Sequence, residues 1–176
     1  MLYLALMTLL LFASPLEREV DRTVDEYLSQ IDLASTRYDV VVAGQESQGA
    51  AVLYWVEDGK DSAVFFFDRE LLLQLSEQER RVLIAHEVGH LAPECQLGGS
   101  RIFRELCADG IASQLVPRED VAAMLAKSIS MFPYYPAREE FIFRFAMIQE
   151  RNSEELQPTI AQSSELPSQD AWIDCD

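Results

Sequence analysis

SEQERRVLIAHEVGHLA, residues 76–92, sets the fold around itself. Ser76 followed three residues later by Glu79 is a capping box, in which the hydroxyl accepts from one backbone amide and the carboxylate from another. A helix therefore starts at Glu77. Val82, Leu83, Ile84, Ala85, Val88 and Leu91 make it apolar on nearly every side, so it is expected to be buried in the domain. His86, Glu87 and His90 stand inside that apolar run, and they are joined by no other histidine in the chain. The bland reading is a core helix that happens to carry them. Burying such groups unpaired is costly, however, and a divalent cation supplies compensation that an apolar core cannot. Four residues apart on a helix, His86 and His90 project from one face, the spacing at which a tetrahedral zinc takes two ligands. Glu87 is swung round by about 100° and reaches a water activated by the metal, where a general base belongs.

Two histidines leave zinc short of a protein ligand, so the third must be a carboxylate or a cysteine. Downstream, Ser100 can cap a second helix containing RIFRELCADGIAS, residues 101–113, on which Glu105 and Asp109 share a face. Glu105 is expected to be the third ligand. Asp109, one turn on, is placed to accept a hydrogen bond from the free ring nitrogen of a ligating histidine. Arg101 and Arg104 could pair with these acids on a solvated face, but Ile102, Leu106, Cys107, Ile111 and Leu115 give the segment a core-like character. Cys107 is a rival ligand that points roughly opposite Glu105. Ala108 and Gly110 would let the two helices approach closely.

Upstream, Leu16, Val20, Val24, Tyr27, Leu28 and Ile31 recur at helical spacing and predict an amphipathic helix over 16–31. Runs rich in Val, Phe, Tyr and Trp at 38–43, 51–56 and 63–67 read as strands, with turns at Gly44 to Gly49 and around Asp58-Gly59. They are expected to form an antiparallel three-stranded meander. Helices follow near 69–75, 77–92, 101–116, 119–131 and 138–152, punctuated by Pro93, Pro117, Pro133 and Pro136. The class is α+β: an N-terminal helix, the sheet, then a helical bundle carrying the histidines. Residues 15–152 form the folded domain, and 153–176 read as a flexible acidic tail with an apolar patch at Trp172 and Ile173.

Met1 to Ala13 is apolar apart from Thr8, a run shorter than the roughly 20 residues that cross a bilayer. Residues 1–14 are read either as a signal or membrane anchor or as a buried N-terminal helix, and no Lys or Arg precedes them. Export, to a periplasm or a membrane surface, follows from the first reading and a cytoplasmic location from the second. Membrane contact is expected only through residues 1–14. With thirty acidic against fourteen basic residues and a net charge of -16, nucleic acid is an unsuitable partner. Cys95, Cys107 and Cys175 match no metal or redox spacing; export would permit one disulfide with one leftover thiol, and spacing does not choose the pair.

His86 to His90 together with Glu105-Leu-Cys-Ala-Asp109 resembles the HExxH plus ExxAD pair of the gluzincin metallopeptidases. The approach FFFDRELLLQLSEQERRVLIAHEVGH, residues 65–90, is similar to the family containing the HtpX membrane protease and the CAAX prenyl endopeptidase. The resemblance spans about Val64 to Val116, with a second stretch at Tyr135 to Ile148, and implies a small zincin-like domain, a Zn2+ cofactor and a peptide or protein substrate paired to the strand before the active-site helix, here 63–67. Fourteen residues between His90 and Glu105 require a tighter loop than in those relatives. GIASQLVP, residues 110–117, is similar to the ImmA/IrrE regulatory peptidases, the second family considered. The activity implied is a zinc-dependent endopeptidase with Glu87 as general base. Tyr134, Tyr135 and Arg138 are candidate oxyanion donors, each also an ordinary turn or helix-start residue. The alternative is a non-catalytic, zinc-stabilised binding or regulatory protein, its fourth metal position closed by Cys95 or Cys107.

Overall fold

The computed structural model describes residues 14–44, 49–97, 99–132 and 136–150. Helix α1, Pro15–Gln30, opens with Ser14 as N-cap, a reciprocal Ser14–Glu17 capping box and proline at its first turn. Its stripe Val20, Val24, Tyr27 and Leu28 is buried. Strands β1 (Arg37–Ala43), β2 (Ala50–Glu57) and β3 (Lys60–Asp68) follow. Helices α2 (Arg69–Gln74), α3 (Glu77–Gly89), α4 (Pro93–Gln96), α5 (Arg101–Leu115), α6 (Arg118–Met131) and α7 (Ala137–Glu150) complete the chain. The class is α+β, as the sequence predicts. Residues 1–13 and the acidic tail lie outside the described residues, while Ser14 belongs to α1. Among the described residues no helix is long and apolar enough to cross a membrane.

The sheet is not a meander. Its order is β1-β3-β2, with β3 parallel to β1 and antiparallel to β2. Only β2 and β3 form a hairpin, through Asp58 and Gly59, whose φ values of 52° and 71° suit the two-residue turn that matches strand twist. The physical reason lies in the side chains. A central strand is covered on both faces, and β3 carries Ala63, Phe65 and Phe67 fully buried on one face with Val64 and Phe66 half-buried on the other. β2 leaves Leu53, Tyr54, Trp55 and Val56 exposed and takes an edge. A six-residue link can span about 20 Å, ample for a crossing of two strand spacings of roughly 10 Å over the end of β3. The Asp68 amide anchors that crossing by donating to the Gly49 carbonyl at 2.8 Å.

Phe65 and Phe67 pack into one core with Val20, Val24 and Tyr27 of α1 and Val82, Ile84 and Val88 of α3. Arg80–Glu19 and Arg81–Glu26 pairs, both 2.8 Å, fasten α3 to α1. The histidine-bearing helix is thus held between the sheet's packing layer and the later helices.

Candidate metal centre

Two helices meet here at backbone distance. A Cβ on Gly89 of α3 would lie 2.8 Å from the Ala108 carbonyl oxygen and 3.0 Å from its Cα, so only glycine permits this approach of α5. Ala108 is the small residue at the contact, as expected; its partner is Gly89. Between the helices, α4 is a single turn, and a Cys95–Cys107 disulfide with Cα atoms 5.4 Å apart ties it to α5. That bond pins the tight connection to α5. It also occupies both cysteines that were rivals for a metal position.

The approach brings three donors together. One ligand atom each from His86, His90 and Glu105 lies within 4.8 Å of the others. The two imidazoles sit edge to face, 4.7 Å between centroids. Glu105 Oε2 is 3.2 Å from His86 Nε2, and its Oε1 is 3.9 Å from His90 Nε2. Asp109 Oδ1 accepts from His86 Nδ1 at 2.9 Å, which holds a proton on Nδ1 and turns Nε2 toward the cluster. Two imidazole nitrogens and one carboxylate oxygen, with the tautomer set by a buried acid, fit a zinc ion with a position left open.

The residue that sequence reasoning missed is Arg144. Buried at 5% exposure, it donates to Asp109 through Nε at 2.8 Å and Nη2 at 2.7 Å, and to Glu105 through Nη1 at 3.0 Å. Arg101, which the alternative reading of a solvated face would pair with these acids, pairs instead with Glu140 at 3.4 Å. A signal existed, a lone cation in the apolar run FIFRFAMI, residues 141–148.

Burial and charge set the protonation of the cluster in the protein alone. Burial and the charge of Arg144 work against a charged His86, but the hydrogen bonds it donates to Asp109 and Glu105 prevail and push it up to about 9. His90 is drawn down to about 4 by burial and by the charge of His86. Burial opposes ionisation of Glu105, yet His86 and Arg144 hold it down at about 2; the same two neighbours hold Asp109 well below the usual carboxylate range. Glu87 goes the other way, to about 7, because burial and the charge of Glu105 both penalise its anion. Among the described residues its carboxylate has no hydrogen-bond partner, and it lines the same cavity as His86, His90 and Glu105.

That cavity measures about 730 Å³ and is bordered by Ala50, Val52 and Tyr54 of β2. Residues 63–67, the expected substrate edge, belong to β3, which is paired on both sides and has no free edge. Among the described residues, the free edge beside the cavity is that of β2. Tyr134 and Tyr135 lie outside the described residues. Arg138 is exposed, pairs with Glu139 at 3.7 Å and does not line the cavity.

Residues 14–97 match the family model of peptidase family M48, a stretch just under half the chain that contains His86, Glu87 and His90 and ends before Glu105. The match supports a metal-dependent peptidase acting on peptides or proteins. Neither curated proteins nor solved structures yielded a match.

Proposed function

We propose that the chain is a zinc-dependent endopeptidase, with His86, His90 and Glu105 as ligands, Glu87 as general base and Asp109 orienting His86. The carrying observation is that Glu87 lines the same cavity as the three converging donors and, among the described residues, has no hydrogen-bond partner competing for its carboxylate. When bound, zinc polarises the scissile carbonyl and makes a water more acidic. Glu87 takes the proton from the attacking water and returns it to the leaving amine, a task that suits a group titrating close to the working pH. The unpaired backbone of β2 offers an extended peptide a strand to pair with along the cavity. Kinship with the HtpX and CAAX prenyl endopeptidase group, carried by residues 65–90, belongs to the same proposal.

A purely structural zinc site closes its fourth position with a protein ligand. Cys95 and Cys107 are spent on each other, which supports the enzyme over the binding protein. Chelation should abolish cleavage of an unstructured protein substrate, and about one zinc per chain should restore it. Cleavage that persists in the fully stripped protein would overturn the proposal.

A further inference from the structure

Helix α7 delivers a cation to the centre and does so with more geometry than packing requires. An arginine in an amphipathic helix ordinarily extends its head to water. Arg144 instead turns inward, and its guanidinium forks onto both oxygens of Asp109 while a third nitrogen reaches Glu105. The Phe141 ring covers the guanidinium at 5.3 Å, and Glu140 of the same helix stands 3.7 Å away. Arg144 Nη2 is also 3.4 Å from His86 Nδ1; both are donors, and Asp109 Oδ1 accepts from each. A two-point fork and a third bond fix the guanidinium plane. Through it, two carboxylates one turn apart on α5 are fixed relative to each other and to the His86 ring.

Charge explains why such a group is needed. Glu87, Glu105 and Asp109 crowd one cavity wall, and Asp109 is 2% exposed. Without Arg144 the two carboxylates would share only His86, repulsion would drive Glu105 outward, and Asp109 would be a buried anion stripped of its guanidinium partner. A carboxylate offers about four lone-pair directions, so the bond from Arg144 to Glu105 leaves capacity directed at His86 and His90.

We propose that Arg144 is a positioning residue acting as an internal countercharge, one that keeps Glu105 in ligand geometry and Asp109 against His86 in the metal-free protein, so that the centre is formed before its cation arrives. This rests on the metal reading of the site given above. Three variants test it: Arg144→Lys, Arg144→Met, and Arg144→Met combined with Asp109→Asn. Zinc affinity is measured by competition with a chromophoric chelator, and melting is recorded on the metal-free proteins.

Arg144→Met should lower the metal-free melting temperature by on the order of 10 °C and weaken zinc by roughly 10- to 100-fold. Arg144→Lys keeps the charge without the fork, and should recover most of the melting temperature but not the affinity. The double variant removes the orphaned anion, so it too should regain stability while zinc stays weak. Mere packing would not separate the two readouts. Wild-type zinc affinity in the folded Arg144→Lys and double variants would overturn the proposal. A wild type that binds no zinc would overturn the metal reading instead, and the melting order of the metal-free proteins would then decide the countercharge alone.

Discussion

Glu105 and Asp109 are both acids on one face of α5, yet their surroundings give them different work. Glu105 reaches both histidine Nε2 atoms, whereas Asp109 meets His86 at Nδ1, on the far side of the ring. With Glu105 as the proposed third ligand, Glu105→Ala should largely empty the centre. Asp109→Ala removes orientation and should weaken zinc by roughly 10- to 100-fold. Zinc titrations of the two variants check this, and the reverse order would contradict the assignment. Both residues were legible in the sequence because four-residue spacing on a helix is local information. Arg144 was not, because its partners lie 35 and 39 residues away and are chosen by how α7 packs against α5. Arg138, the oxyanion candidate that falls among the described residues, stays outside the cavity for a related reason: a helix-start arginine is as well served by solvent as by a cavity.

At the scale of elements, caps and periodicity give the helices away, since Ser14, Ser76 and Ser100 each start one by accepting a backbone amide. Strand positions were equally legible. Strand order was not, because local β propensity does not say which strand lies between the other two; the two-sided burial of β3 does, and that is a tertiary fact. The contact most exposed to test is the crossing of α3 and α5. Gly89→Ala drives a methyl into the Ala108 backbone and should cost about 1–3 kcal/mol of stability. It should also weaken zinc binding, because the same crossing sets the distance from His86 to Glu105. Gly44→Ala is the control: nothing lies within 4 Å of its added Cβ, and melting should move little. Equal melting and zinc affinity for both variants would remove Gly89 from the account.

Across the whole molecule, the sheet and α1 bury one side of α3 while α5, α6 and α7 close over the other, leaving the histidines at the base of a cavity edged by β2. The α+β class and the histidine helix could be read from residues 76–92 and the strand runs before them. The disulfide could not be, because three cysteines without a motif leave the pairing to the fold. What the molecule as a whole must do is keep its shape while chemistry is switched off at one residue. Glu87→Gln preserves size and leaves the three donors untouched, so the central measurement pairs zinc content and melting with peptide cleavage for wild type and Glu87→Gln. The account predicts unchanged zinc, melting close to wild type, and cleavage lower by on the order of 10² to 10⁴. Undiminished cleavage by a zinc-loaded Glu87→Gln protein would contradict it.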